Sequence, residues 1–246
     1  MLTDEAIILA GGLGTRLASV VPDLPKPMAP VAGRPFLEWQ LDYLVRQEIR
    51  RVVLAIGHRG DCIVEHFGTR YGNAEIVYAG EQSPLGTGGA LKAALRFIRG
   101  AGAFALNGDT LLLALLEEIE GGVGESMVMA IRKAPNAGRL GCVALLGDRI
   151  SHFEERPAID QDWVNAGLYW VSRHLFDNDE KRTVFSFETE FLPALAASVQ
   201  PRAARTNDFF VDIGTPDTYR FADTAIPEAF DHWVANPAAE GSKQGS

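Results

Sequence analysis

Cysteine is almost absent from this 246-residue chain: Cys62 and Cys142 occur alone, with no Cys-x-x-Cys pair. That excludes a disulfide framework and a cysteine-based zinc site, and it suits a reducing compartment. Long hydrophobic runs are missing as well. No stretch of about 20 apolar residues could span a bilayer, and the opening MLTDEAIIL carries two acids where a secretory leader would carry a basic and then an apolar region. Positive charge is scarce, with 23 lysines and arginines against 32 aspartates and glutamates and a formal charge of −9. Such a balance argues against a nucleic-acid surface, so an anionic ligand must be met by a local cluster of cations and metal. There is no internal repeat. The expectation is a cytoplasmic protein with small-molecule partners and neither nucleic acid nor membrane as a partner; a homodimer is compatible with it.

Hydrophobic residues at 47% and charged residues at 22% are ordinary globular proportions, and the length suits one large α/β domain. Its organising stretch is Ala6 to Pro27. Ala6–Ala10 reads as a buried strand that empties into Gly11-Gly12-Leu13-Gly14-Thr15-Arg16, and Lys26 follows between two prolines. Glycines let backbone N–H groups approach phosphate oxygens, and a turn opening into a helix adds the positive end of its dipole. Arg16 offers a forked cation and Lys26 a point charge. The P-loop pattern would need Lys-Ser/Thr where Thr15-Arg16 stand, and the dinucleotide fingerprint a third small residue where Leu17 stands. Both fail on spacing, and the glycines alone also fit a plain strand-to-helix turn.

Further along, periodicity predicts a helix over Phe36–Gln47, a strand over Arg51–Ile56, a helix over Cys62–Phe67, a strand over Glu75–Ala79 and a helix over Ala90–Ile98. His58, in the loop after the second strand, has no paired acid and reads as solvated. Three glycines in Pro84-Leu85-Gly86-Thr87-Gly88-Gly89 permit close backbone approach. Ala103–Leu106 reads as a strand ending in Asn107-Gly108-Asp109, a carboxylate at a strand tip where open α/β sheets bind ligands. Leu111–Ile119 reads as a leucine-rich helix, Ser126–Arg132 as a strand, and Leu140–Leu146 with Ile150–Glu154 as a hairpin. Trp163–Val171 is a strand whose internal Gly167 suggests close approach by a ligand. Phe187–Ala197 reads as a helix with Pro193 inside its pattern, a kink or a broken turn. A strand carrying Asp212 then turns through Gly214-Thr215-Pro216 into a helix from Asp217 to Ala222. A buried carboxylate at Asp212 would need a cation partner.

Leu9–Leu17 (LAGGLGTRL) with Lys26–Met28 (KPM) resembles the signature of the sugar-1-phosphate nucleotidylyltransferases. The resemblance implies a Rossmann-like α/β fold: a mixed, mainly parallel sheet flanked by helices, with a smaller antiparallel sugar-binding portion. It divides residues 1–233 into a nucleotide-binding part to about 110 and a sugar-binding part; beyond Trp233 the composition turns to Asn, Pro, Ala, Gly, Ser and Lys, and 234–246 reads as a disordered tail. It implies nucleotide contacts from Leu9, Ala10, Gly11, Gly12, Gly14, Thr15, Arg16 and Asn107, and base contacts from Gln82, Gly86 and Thr87. Asp109 and Asp212 are the implied Mg²⁺ ligands, and with Arg16 and Lys26 the implied catalytic set. Gly141, in an Arg-Leu-Gly that resembles the family's RYG element, and Glu155, Arg156, Asn165 and Gly167 are the implied sugar-phosphate contacts. Family members commonly carry lysine in the EEKP element where Arg156 stands; arginine keeps the charge and can grip phosphate with two parallel hydrogen bonds. The chain is too short for the β-helical acyltransferase domain that some relatives append.

The implied reaction joins a sugar 1-phosphate to the α-phosphorus of a nucleoside triphosphate and releases pyrophosphate. Stretches such as PLGTGGALKAALRF and FFVDIGTPDTY resemble the D-glycero-D-manno-heptose 1-phosphate guanylyltransferases of surface-polysaccharide synthesis, which implies GTP and a heptose 1-phosphate. Mannose-1-phosphate guanylyltransferases and the uridylyl- and thymidylyltransferases share the same signatures. A glycosyltransferase would show Asp-x-Asp where Asn107-Gly108-Asp109 stands. A catalytically silent regulatory subunit would have lost one of Arg16, Lys26, Asp109 or Asp212, and all four are present.

Overall fold

Short apolar runs alternating with amphipathic segments build a sheet buried on both faces, because each parallel strand needs a crossover that lays a helix against it. The computed structural model describes residues 3–12, 21, 24–134, 141–155, 162–179 and 181–236. In chain order these form β1 (Glu5–Leu9), a single 3₁₀ turn (Lys26–Met28), β2 (Pro30–Val31), β3 (Arg34–Pro35), α1 (Phe36–Arg46), β4 (Arg51–Ile56), α2 (Gly60–Phe67), β5 (Arg70–Tyr71), β6 (Ala74–Gly80), α3 (Gly86–Leu95), β7 (Gly102–Asn107) and β8 (Thr110–Leu112). There follow α4 (Leu116–Ile119), β9 (Met127–Lys133), β10 (Cys142–Leu146), β11 (Arg149–Glu154), β12 (Trp163–Ser172), a π-turn (Phe187–Phe191), α5 (Leu192–Ser198), β13 (Arg202–Thr206), β14 (Phe210–Asp212) and α6 (Pro216–Ala235).

Ten of the strands form one sheet in the order β10-β11-β13-β9-β12-β7-β1-β4-β6-β5. The half around β1 is parallel, with β1 between β4 and β7 and β6 beyond β4. From β7 outward the sheet turns antiparallel through β12 and β9, so the expected antiparallel portion continues the same sheet. Period-two alternation divides the core. Ala6 and Ile8 face a cluster with Phe36, Trp39, Ile226 and Phe230. Ile7 faces the other side, with Leu91, Leu95, Phe187 and Leu192. Among the described residues no helix is long and apolar enough to cross a membrane.

Four sequence expectations are corrected. Leu111–Ile119 is not one helix: Leu111 and Leu112 lie in β8, where Val211 and Phe210 of β14 pair with them, and only Leu116–Ile119 is helical. A distant strand partner outweighs the local helical preference of leucine. The helix expected from Ala90 begins at Gly86, so the glycines form its first turn. Phe187–Ala197 is a π-turn followed by α5, with Pro193 in the first turn of α5, where its missing N–H costs nothing. The helix expected over Asp217–Ala222 continues to Ala235, through Pro227, and begins with a capping box in which Thr215 accepts from the Thr218 N–H. The strand β13 was not foreseen, because Arg-Ala-Ala-Arg-Thr carries too little apolar character to announce it. Of the expected tail, residues 237–246 lie outside the described residues.

Candidate active site

The C-terminal tips of β1 and β7 and the loop that follows β6 open into one cleft of about 660 Å³, closed on the far side by residues of β12 and the π-turn. Leu9, Gly11 and Gly12 line it from the tip of β1. Ala10 sits beneath them, buried, its N–H donating to the Ala55 carbonyl. Gly14, Thr15 and Arg16 lie outside the described residues.

The Asn107-Gly108-Asp109 turn is anchored from two directions. An alanine Cβ at Gly108 would lie 2.3 Å from the Leu9 carbonyl oxygen, so only glycine lets the two strand tips meet this closely. From below, the fully buried Gln40 of α1 donates through Nε2 to the carbonyls of both Asn107 and Thr110, each at 2.8 Å. Nothing in the sequence flagged Gln40. Its one signal was a glutamine on the apolar face of an amphipathic helix. The buried Oδ1 of Asn107 has no hydrogen-bond partner among the described residues, an acceptor held at the edge of the cleft.

Asp109 and Asp212 come together through the ribbon of β8 and β14: Asp212 stands opposite Thr110, and the Ile213 N–H donates to the Asp109 carbonyl at 2.9 Å. Both carboxylates line the cleft. Lys26 Nζ lies 2.5 Å from Asp109 Oδ2, with the lysine side chain only 10% exposed. Asp212 Oδ1 accepts from the Gly214 N–H at 2.8 Å. Lys26 is thus the charge partner of Asp109, and Asp212, expected to be buried, is only half-buried. Two carboxylates on adjoining strand ends, beside open space, suit a divalent cation that completes its shell with substrate phosphates and water.

Gly86 and Thr87 of the predicted base loop line the cleft, whereas Gln82 is exposed and lies off it; its neighbour Glu81 takes the place in the wall. The glycines of this loop serve a second purpose. Alanine Cβ atoms at Gly86, Gly88 and Gly89 would come within 2.4 Å of the Phe185 carbonyl, 2.2 Å of the Phe185 ring and 2.3 Å of the Thr183 carbonyl. The close approach is made by protein backbone and an aromatic ring. Phe185 N–H donates to the Leu85 carbonyl, and the Gly88 and Gly89 N–H groups donate back to the Phe185 carbonyl.

On the far wall stand Gly141, Glu155, Asn165, Gly167 and Glu188. Arg156 and Arg139 lie outside the described residues. Gly167 is left-handed at φ +70°, and its bare face meets the side chains of Thr110 and Asn107. The Asn165 carboxamide is held at both ends, accepting from the Gly167 N–H at 2.9 Å and donating to the Tyr169 hydroxyl at 2.5 Å. Burial raises the Tyr169 phenol well above its ordinary range, with Glu188 adding to the effect, so it serves as a neutral hydrogen-bonding group. Glu188 was missed in the sequence. It sits on the π-turn, its Oε2 accepts from the Thr87 hydroxyl at 2.5 Å, and burial pushes its carboxyl above the ordinary value. His58 is exposed, as expected.

Residues 5–228 match the family model described as nucleotidyl transferase. The chain belongs to that family. This nucleotidyl transferase is 39% identical over 217 residues to the D-glycero-alpha-D-manno-heptose 1-phosphate guanylyltransferase of Campylobacter jejuni, spanning 87% of this chain and 96% of that protein. It is 38% identical over 225 residues to the protein of the same name from Aneurinibacillus thermoaerophilus, spanning 90% and 98%. Among solved structures, HddC from Yersinia pseudotuberculosis complexed with GMP-PN superposes with a TM-score of 0.77 at 31% identity, covering 89% of this nucleotidyl transferase and 97% of HddC.

Proposed function

We propose that this nucleotidyl transferase moves GMP from GTP onto D-glycero-D-manno-heptose 1-phosphate, giving GDP-heptose and pyrophosphate for surface-polysaccharide synthesis in the cytoplasm. The observation that carries the reading is the nearly full-length similarity to two heptose 1-phosphate guanylyltransferases. The cleft that gathers Lys26, Asp109 and Asp212 supports it.

A phosphate oxygen of the sugar attacks the α-phosphorus, a new P–O bond forms, and the bond to the bridging oxygen of the β-phosphate breaks with its electrons leaving on pyrophosphate. The attacking oxygen is already ionised at neutral pH, so no general base is needed and the work is positioning and charge compensation. Lys26, oriented by Asp109, screens the approach of the two anions. Arg16 takes up charge on the α-phosphate and the departing pyrophosphate. Asp109 and Asp212 would hold Mg²⁺, which when bound supplies charge neutralisation between the two phosphates. Leu9, Gly11, Gly12, Gly86 and Thr87 seat the nucleotide, and Gly141, Glu155, Arg156, Asn165 and Gly167 the acceptor.

The test is a pyrophosphate-release panel pairing each of four nucleoside triphosphates with heptose, mannose and glucose 1-phosphates in Mg²⁺ buffer. GTP with the heptose substrate should give the highest kcat/KM. A clear preference for mannose 1-phosphate, or for UTP or dTTP, overturns the substrate pair.

A further inference from the structure

We propose that Glu188 is a positioning residue for nucleotidyl transfer: bonded to Thr87, it splices the far wall of the cleft to α3 and fixes the span across which the two phosphates meet. The inference rests on the transfer reading above and depends on neither its base nor its sugar.

Thr87 stands in the first turn of α3 and lines the cleft. A hydroxyl has one proton to donate and two lone pairs to accept with. The proton goes to Glu188 Oε2 at 2.5 Å, and one lone pair takes the Phe187 N–H at 2.9 Å. The hydroxyl is therefore spent mainly on protein, although its residue borders the cleft. Both bonds end on the π-turn, whose packing continues toward the opposite wall. The Phe187 ring meets Tyr169 edge-on at 5.3 Å, the Tyr169 hydroxyl accepts from Asn165 Nδ2 at 2.5 Å, and Asn165 lines the cleft beside Gly167. A continuous path of contacts thus crosses from α3 to β12 behind the cleft.

Glu188 holds this path under tension with its own solvation. Exposed Glu190, two residues on, pairs with Arg182, whereas among the described residues no cation pairs with Glu188. Burial raises its carboxyl, so the charge is carried at a cost. What the charge returns is strength, since a hydrogen bond to an ionised acceptor is about twice as strong as a neutral one. The wide turn that carries it is of a kind that recurs at functional sites. Backbone bonds from Phe185 to Leu85, Gly88 and Gly89 hold the segment upstream, and the Thr87 bonds hold it where it borders the cleft. Transfer needs the attacking oxygen and the α-phosphorus aligned at about 3–3.5 Å, and a misplacement of about 1 Å can cost about a hundredfold. Each reactant is seated on a different wall, so the splice sets their separation.

The full-length enzyme is assayed with whichever nucleoside triphosphate and sugar 1-phosphate the wild type turns over fastest. Glu188→Ala should fold, by circular dichroism and melting, and lose about ten- to a hundredfold in kcat while KM for both substrates changes little. Glu188→Gln, which still accepts from Thr87, should recover most of that loss. Thr87→Val keeps the shape but removes the donor, and should resemble Glu188→Ala; the double variant should be no slower than the slower single one. A folded Glu188→Ala enzyme with wild-type kcat overturns the inference. So does a loss confined to KM for the sugar 1-phosphate, which would make Glu188 a substrate contact, and so does a double variant whose losses multiply. If the wild type transfers to no sugar 1-phosphate at all, the transfer reading fails and takes this inference with it.

Discussion

Lys26 Nζ and Asp109 Oδ2 meet at 2.5 Å, joining the 3₁₀ turn to the turn after β7, 83 residues apart in the chain. Neither side chain holds its position alone, since each is the other's charge partner within the cleft. Lys26→Ala and Asp109→Ala should each lower kcat by about 10²–10³, the usual effect of losing one preorganised transition-state contact. The double variant should fall little below the worse single one, because the two act as a unit. A pyrophosphate-release assay on all three checks this, and full additivity would count against the pairing as a functional unit.

Asp212 is expected to act through the cation. Its side chain contributes a hydrogen bond to Gly214 at the edge of the ribbon, so Asp212→Ala should retain the fold by circular dichroism. Its affinity for Mn²⁺, read by titration calorimetry in the presence of GTP, should fall, and turnover should fall by about 10² or more. Near wild-type turnover would remove Asp212 from the metal site.

Gln40 supports Asp109 from beneath. Gln40→Leu conserves volume but strips the buried Thr110 carbonyl of its side-chain donor and leaves the Asn107 carbonyl only the Thr110 hydroxyl, at a cost of about 1–3 kcal/mol. Denaturant unfolding should register the loss. In the folded fraction kcat should drop while KM for GTP changes little, because the turn that carries Asp109 is released and the base loop is untouched.

Glu188 gives a pH signature. Burial holds its carboxyl above the ordinary range, opposed in part by the Thr87 hydroxyl. Between the ordinary value, about 4.3, and the raised one, the folded protein binds a proton that the unfolded chain has released. Stability therefore falls as pH rises through that window, and the penalty is complete above it. Glu188→Gln, which can still accept from Thr87, should melt higher than wild type at pH 7, and the difference should vanish as pH falls toward 4. Melting curves across that range decide it.

Gly88 is a packing glycine. Gly88→Ala drives a methyl into the Phe185 ring and should cost about 1–3 kcal/mol in thermal or denaturant unfolding. A neutral result would mean that the π-turn region yields easily.

The parallel half of the fold was legible because strands buried on both faces read as continuous apolar runs, as in Ile7-Ile8-Leu9 and Val52-Val53-Leu54. Lys26, Asp109 and Asp212 were legible as members of a family signature, and the ribbon of β8 and β14 brings them together. What escaped depended on partners far away in sequence. Leu111 looked helical until β14 claimed it, and β13 had too few apolar residues to announce a strand. Glu81 rather than its neighbour Gln82 lines the cleft, since strand parity at a tip depends on where pairing stops. Glu188 lay in a segment read as a plain helix, and only the π-turn aims it at Thr87. Gln40 stood out only as a glutamine on an apolar helix face, and its role could not be read without knowing which carbonyls lay above it.

The strap that Phe185 makes over α3 bears on how the protein comes into being. The loop proposed to seat the nucleotide takes its shape from backbone bonds with residue 185, and Lys92 of α3 likewise donates to the carbonyls of Asp179 and Arg182. A chain emerging from the ribosome can pair β1, β4 and β6 early, yet its nucleotide pocket stays unfinished until more than two thirds of the polypeptide has been synthesised. Expressed by itself, a fragment ending near residue 110 would carry the glycine turn and Asp109 and still lack the brace that makes them a binding site.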